Sequence, residues 1–300
     1  MTSLTRRFTC FVAFGLLTAL AFQAAPSRVR ELAPGVFYWQ GDRETQRQTN
    51  VGWVVFRDYV LVVDANFPWG ARDILPEIRK TSARPIRFVF DTHYHADHAY
   101  GNGVFAEAGA TIICTEDCAE ESRSKGLRDV QNQAKERATE PLVHSSLQFK
   151  DTLVFDDGDH RVELIRAGPA HSKGDAVAWL PKEKVLFVGD LAVNWELGNN
   201  VGDADADHRN WVRALDRIAA WQPSIVIPGH GIPGDVATLT GQRAYLSAML
   251  EAILAGIRDN KTVEQIAKEA DLSQYKPFGS DPRRTAGQVR SMYKGLTKTN

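Results

Sequence analysis

Three histidines and an aspartate stand within six residues, His93-Tyr94-His95-Ala96-Asp97-His98, directly after the apolar run Ile86–Phe90. A strand ending in such a cluster presents it on the loop at its C-terminal end, where α/β sheets bind ligands. Two apart on an extended loop, His93 and His95 can aim at one metal ion. Asp97 and His98 lie beyond the bend and can point at a neighbouring site. Imidazole and carboxylate together suit Zn2+ and its borderline neighbours. Three more ligand-type side chains follow the same rule. His171 lies in Ala170-His171-Ser172-Lys173-Gly174-Asp175 after a β-rich run, Asp190 follows Val185-Leu186-Phe187-Val188-Gly189, and His230 follows Ile225-Val226-Ile227-Pro228-Gly229. A nearby glycine lets each chain segment turn sharply. Five histidines and two aspartates suffice for two metal ions with one shared carboxylate. Two such ions, about 3.5–4 Å apart, hold a bridging hydroxide, the nucleophile of a hydrolytic two-metal site.

These residues need strands to carry them and helices to cover the strands. β-rich runs at 36–40, 51–56 and 59–64 are separated by turn or polar residues, with Arg57-Asp58 as a hairpin turn and 41–50 as a polar, mobile loop. Ile74, Leu75 and Ile78 give 69–80 helical periodicity. A helix over 98–108 precedes a strand at 110–114, and the charged stretch 115–139 reads as a surface helix or pair of helices. Strands are expected at 147–149, 152–155, 161–166, 176–180, 184–189 and 224–228, and helices at 207–220, 235–258, 262–270 and 282–296. This order predicts a layered α/β protein with mixed sheets and helices outside. It forms one domain over residues 26–300, with a C-terminal helical extension from about residue 259.

Composition narrows the class further. The 300 residues are 43% hydrophobic and 24% charged, ordinary for a globular protein and incompatible with a disordered or polytopic membrane chain. Lys and Arg total 36 against 37 Asp and Glu, so no basic excess suggests a nucleic-acid partner. Residues 1–25 read as a secretory signal peptide: Arg6 and Arg7 precede an uncharged apolar stretch at 8–22, and Ala24 or Ala25 offers the cleavage point. As an uncleaved anchor the stretch is short of the roughly 20 residues that span a bilayer. The expected location is periplasmic or secreted, with no stable membrane association after cleavage. Of the three cysteines, Cys114 and Cys118 remain in the mature chain. Their spacing permits a disulfide, but so short a loop strains one, which favours two half-buried thiols. His144, His160 and His208 lie in polar segments and are expected at the surface. Asp203, Asp205 and Asp207 superficially resemble a Ca2+ loop, but the required Gly and bidentate Glu are missing, and Asp207 suits a helix N-cap.

The motifs together resemble the metallo-β-lactamase superfamily, whose fold is an αβ/βα sandwich with two mixed β-sheets flanked by helices. Its H-x-H-x-D-H motif is matched by His93, His95, Asp97 and His98. Its later His, Asp and His are matched by His171, Asp190 and His230, and its early strand-terminal Asp by Asp64. The resemblance runs from about residue 35 to about 255. It implies His93, His95 and His171 on one metal, Asp97, His98 and His230 on the other, and Asp190 between them, with two Zn2+ per chain. Asp64 is then a candidate for orienting a ligand histidine.

The resemblance implies a metal-dependent hydrolase that attacks an ester, thioester, lactone or amide carbonyl of a small molecule. Asp97 shuttles the proton, and Asn200 matches the asparagine that faces the carbonyl oxygen in periplasmic β-lactamases. His95 stands where the redox branch of the superfamily has an acid. Asp190 stands where those β-lactamases have a cysteine, and Val193 where they place a cation for the substrate carboxylate, so β-lactam hydrolysis is expected to be weak. Asp190 and Pro228-Gly229-His230-Gly231 are more similar to the hydroxyacylglutathione hydrolase branch, which uses basic C-terminal residues; here these are Lys276, Arg283, Arg284, Arg290 and Lys294. Tyr94 and Trp69 are candidate pocket walls. A periplasmic accessory protein of a quinoprotein redox relay is the alternative of another class. The oligomeric state is left open.

Overall fold

The computed structural model describes residues 28–46, 48–195, 198–201, 206–276 and 281–297. The signal segment, Asp203 and Asp205 lie outside them. Apolar runs rich in β-branched and aromatic residues build two sheets. In the first, β1 (Val29–Ala33), β2 (Val36–Trp39), β3 (Val51–Val55), β4 (Val60–Val63), β5 (Ile86–Phe90), β6 (Thr111–Thr115) and β7 (Leu147–Phe149) lie side by side in chain order. The first four are antiparallel. From β4 onward the pairing is parallel, so each connection must cross over, and helices make the crossings. These are α1 (Pro68–Thr81), then α2 (Ala96–Ala99) with α3 (Asn102–Glu107), then α4 (Glu116–Glu121) with α5 (Leu127–Ala134).

The second sheet has the spatial order β12-β11-β10-β9-β8. Strands β8 (Thr152–Asp156), β9 (Arg161–Arg166), β10 (Ala176–Leu180) and β11 (Val185–Gly189) are antiparallel in turn, and α6 (His208–Ala219) leads to β12 (Ile225–Pro228), parallel to β11. Three helices follow: α7 (Val236–Arg258), α8 (Val263–Glu269) and α9 (Pro282–Thr297). The inner faces of the sheets meet through Tyr38, Leu61 and Phe90 on one side and Leu164, Ala178 and Phe187 on the other. Ile74, Ile78 and Phe105 cover the outside of the first sheet, and Trp211, Leu215, Met249 and Val289 cover the second. The architecture is the expected αβ/βα sandwich with two mixed sheets. Strands β4, β10 and β11 are buried throughout, as their unbroken apolar sequences require once both faces are covered.

The two sheets are bonded together at one edge. The Asn50 backbone N–H donates to Gly229 O at 2.8 Å, and its side-chain amide donates to Pro228 O at 2.8 Å and Gly231 O at 2.9 Å. The 41–50 loop is therefore not mobile along its whole length: Thr49 and Asn50 are buried. The helix expected over 98–108 is divided at Tyr100-Gly101. There the chain touches the loop after β4 so closely that a Cβ on residue 101 would lie 2.2 Å from Ala65 O. Strand β1 was not foreseen, because an edge strand reading Val-Arg-Glu-Leu-Ala carries no clear alternation.

Asp207 caps α6 as expected, accepting from the Asn210 N–H. Cys114 and Cys118 are free buried thiols. Of the three histidines expected at the surface, His144 is exposed and meets Ser122 Oγ at 2.8 Å. The other two are corrected: His208 is buried and bonded to Val201 O, and His160 is half-buried and pairs with Glu183 at 2.8 Å. Each finds a partner that its polar sequence neighbours do not reveal. No helix among the described residues is long and apolar enough to cross a membrane.

Gly52 in β3 faces the second sheet with no room for a side chain: a Cβ there would stand 2.2 Å from the Phe187 ring. Overpacking a dense core costs about 1–3 kcal/mol. Gly52→Ala is therefore expected to lower the unfolding free energy by that much, read as a lower denaturant midpoint at unchanged slope, and an unchanged midpoint would mean the inter-sheet packing is looser than described.

Candidate metal centre

The C-terminal ends of β4, β5, β11 and β12 and the loop after β9 converge on one edge of the sandwich, and each contributes a polar side chain. Past β5, the chain bends through residues 92–94 and carries His93 and His95. The chain then turns into α2, which places Asp97 and His98 in its first turn. At the end of β11, Gly189 adopts a left-handed φ of 53° and lies against Thr92, where a Cβ would come within 2.5 Å of Thr92 Oγ1. At the end of β12, Gly229 lies so close to Asp190 that a Cβ would stand 2.0 Å from its Oδ1. These two glycines let two parallel strands deliver Asp190 and His230 to the same point.

Three imidazole nitrogens meet first. His95 Nδ1 lies 3.0 Å from His93 Nε2 and 3.2 Å from His171 Nε2. A second group forms beside it, with His230 Nε2 3.2 Å and His98 Nε2 4.0 Å from Asp97 Oδ2. Asp190 stands between the two. Its Oδ1 is 3.4 Å from His98 Nε2 and 3.3 Å from His230 Nε2, while its Oδ2 is 3.7 Å from His171 Nε2. All seven metal-ligand candidates are thus brought together and buried. Donors bound at 2.0–2.1 Å to a tetrahedral ion stand roughly 3.3 Å apart, within the 3.0–4.0 Å range of separations in the two groups. Moreover, His98 Nε2 and Asp190 Oδ1 are buried without a hydrogen-bond partner. Such atoms are costly unless something else satisfies them, and a cation between them would. The donor set therefore fits two divalent ions.

The surroundings orient the rings. His98 Nδ1 lies 2.9 Å from Asp64 Oδ2, and His230 Nδ1 lies 2.9 Å from Gln48 O. Each N–H donates outward and turns Nε2 inward. Asp64 itself sits at a φ of 63° and is held by the Thr92 N–H and hydroxyl. Gln48 and Thr49 donate to Asp97 Oδ2 at 3.4 and 3.3 Å. Neither was foreseen, since they belong to a loop without periodicity.

The electrostatics divide the groups. Burial, then the His98 and His95 charges, push the His93 pKa well below the imidazole range. Burial would lower His98 and His230 too, but it is outweighed. Asp64, Asp190 and Asp97 hold His98 well above its ordinary value, and Asp190 with Asp97 raises His230 to about 10. Burial opposes ionisation of Asp97 and Asp190, yet the His98 and His230 charges keep both below the carboxylate range.

The centre opens into a cavity of about 360 Å³, which reaches His95, Asp97, His171, Asp190 and His230. Asn200 lines it and is exposed, whereas Asn199 is buried and donates to Asp190 O. Two expected walls are corrected. Tyr94 packs among Cys114, Cys118 and Ala119, and Trp69 stacks on Phe67 beneath Arg137, so neither is a wall of this cavity. Trp195 is, stacked on the His230 ring at 4.6 Å. Val193 lines the cavity without supplying a charge, and Arg43 and Arg284 line it too.

The family model described as the metallo-beta-lactamase superfamily matches residues 45–230. A "metallo-beta-lactamase type 2" of Bacillus sp. (strain 170) is 28% identical over 170 residues, covering 56% of this chain and 60% of that protein. A "linear primary-alkylsulfatase" of Pseudomonas sp. (strain ATCC 19151) is 23% identical over 270 residues, covering 75% of this chain and 51% of that protein. The chain thus spans between half and three fifths of the length of these curated relatives. Among solved structures, a metallo-beta-lactamase from Pontibacter korlensis superposes with a TM-score of 0.60 at 21% identity, covering 73% of this chain and 98% of its own. A stereoselective inverting sec-alkylsulfatase from Pseudomonas sp. gives 0.71 at 16% identity, covering 91% of this chain and 51% of its own.

Two outcomes are expected. Asp64→Ala removes the acceptor that orients His98, and loss of such a partner costs about tenfold to a hundredfold in metal affinity. Competition with a chromophoric chelator should show this loss for the more weakly held ion, and equal affinities would remove Asp64 from the role. The second concerns the metal-free protein. The raised His98 and His230 contribute stability in full below the ordinary imidazole value of 6.5, and lose it as pH rises through the folded values, about 10 for His230. The depressed Asp97 and Asp190 contribute theirs above the ordinary 3.8 and lose it as pH falls. The Tm of chelator-treated protein should peak between about pH 4 and 6.5. A Tm that climbs from pH 6.5 to 9 would contradict the assignment.

Proposed function

The chain belongs to the metallo-beta-lactamase superfamily, and we propose that it is a dinuclear zinc hydrolase cleaving an ester, thioester, lactone or amide carbonyl of a small molecule. The observation that carries this reading is Asp190, one carboxylate with an oxygen toward each of two histidine groups. That arrangement suits a shared ligand. Bound zinc ions would supply Lewis acidity and a nucleophile at neutral pH.

The roles of the chain's own residues follow from their places. His93, His95 and His171 would hold one ion, and Asp97, His98 and His230 the other. Because His98 and His230 are held protonated by the carboxylates around them, ion binding at this second group displaces protons. Asp97 lines the cavity and is kept ionised by His98 and His230; its place beside the water that two ions would hold suits it to receive that water's proton. Asn200 lines the same cavity, where its amide would donate to the carbonyl oxygen as charge develops. Trp195 supplies an apolar wall and steadies His230. The signal-like residues 1–25 support a periplasmic or secreted location.

Protein purified without chelator and reconstituted with zinc should contain about two ions per chain by elemental analysis. Asp190→Ala should lose the ion of the Asp97 group before that of the three-histidine group. A stoichiometry near zero in the wild type would overturn the reading, and equal loss from both groups would remove the bridging role.

A further inference from the structure

The cavity over the centre carries two cations that the proposed hydrolysis does not use. Arg43 lies on the 41–46 turn. Asp42 orders that turn by pairing with Arg28 at 2.6 Å and accepting from the Glu44 N–H and the Thr45 hydroxyl. Arg284 comes from α9, more than fifty residues beyond the end of the superfamily match. Both line the cavity. Arg43 is exposed; Arg284 is half-buried and donates from Nη2 to Gly198 O at 3.3 Å. Its Nε is buried with no hydrogen-bond partner.

Among the described residues neither guanidinium pairs with a carboxylate. The cavity's own acids are engaged: Asp97 and Asp190 with His230 at 3.2 and 3.3 Å, and Asp129 with the Ala96 N–H at 2.7 Å. Lys173, Arg283 and Arg290 do not line the cavity. Lys173 pairs with Glu120 and Asp117, Arg290 with Glu264, and Arg283 is nearly fully exposed. Two like charges at one half-enclosed cavity repel unless an anion sits with them. Burial and the nearby Arg43 charge hold the Arg284 pKa below its ordinary value, outweighing Tyr245 and Asp281, which raise it.

We propose that the substrate carries an anionic oxygen group, a carboxylate or sulfonate, which seats between Arg43 and Arg284 while its scissile bond lies over the histidine groups. The proposal rests on the hydrolase reading. It makes the C-terminal helix α9 part of the substrate site. A planar guanidinium gives a carboxylate or sulfonate parallel N–H donors, and two of them select against neutral substrates of equal size.

The test uses the zinc-loaded protein and two independent readouts. The first is kcat/KM for a set of chromogenic esters ending in a carboxylate, a sulfonate or a methyl ester. Wild type should prefer one or both anionic members, and the preferred member identifies the group. Arg43→Gln and Arg284→Gln should each reduce that preference by about tenfold to a hundredfold, the range for a lost charge-assisted contact. Rising ionic strength should raise KM for the anionic members more than for the neutral one.

The second readout is calorimetric binding of succinate, glutarate and adipate against their monomethyl esters, which needs no turnover. Wild type should favour at least one diacid over its monoester, and the variants should not. Arg43 is exposed on its loop, so its variant keeps the test valid even if Arg284→Gln fails to fold. If no ester is cleaved while the diacid preference holds, the hydrolase reading fails and the anion site stands. If wild type shows no anionic preference in either readout, or the variants retain it in full, the anion site is overturned.

Discussion

Five imidazoles and two carboxylates share a volume from which most water is excluded, and opposite charge is what makes that arrangement tenable. Asp190 is the pivot. Remove it and His98, His230 and His171 face one another with their only nearby negative charge on Asp97 and, for His98, Asp64. Keep it, and each oxygen offsets a different group of rings. The remaining features of this edge of the molecule read as means of holding that carboxylate and those rings at separations of 3–4 Å.

Several of those means are backbone devices. Gly189 and Gly229 allow two parallel strand ends to approach until Asp190 Oδ1 nearly touches the neighbouring main chain. Asp64 and Asn66 occupy the left-handed region with φ of 63° and 58°, a conformation that costs free energy for non-glycine residues and persists where the surroundings enforce it. At Asp64 the enforcement is visible: Thr92 donates to both carboxylate oxygens. The strained residue is therefore also the one that aims His98. Asn50 does comparable work between sheets, bonding the first to three carbonyls of the second. The relative position of the two sheets is thus set beside the centre itself.

The helices on the outer face of the second sheet also serve the site from a distance. Trp211 on α6 is fully buried, donates to Leu191 O at 2.9 Å and places its ring 5.3 Å from His171. Gln288 on α9 donates to Asn199 O, and Asn199 in turn donates to Asp190 O at 2.7 Å. A chain of hydrogen bonds therefore runs from the C-terminal helix to the backbone of Asp190, the residue that carries the shared carboxylate. The part of the chain beyond the superfamily match is joined to the centre as well as to the cavity above it.

Much of this was legible in the sequence. The seven ligand-type residues stand beside apolar runs or glycines, and strand ends are local features that periodicity and turn residues reveal. Strands β5, β9 and β10 were placed to the residue, and α6 and α7 to within one, because the strands are short β-rich runs bounded by polar or turn residues and the helices begin at capping aspartates. Elements decided by distant contacts were less legible: the division between α2 and α3 arises where Gly101 meets Ala65, and the burial of Thr49 and Asn50 arises from the opposite sheet. His160 and His208 looked like surface residues because their partners, Glu183 and Val201, come together with them only in the fold. The sequence by itself determined the chemistry of the ligands and the layering, since both are written in short-range pattern. Only the tertiary structure decided that Asp190 turns one oxygen to each group and that Arg43 and Arg284, 241 residues apart in number, line one cavity. Such placement depends on how two sheets and a terminal helix pack, which no local pattern encodes.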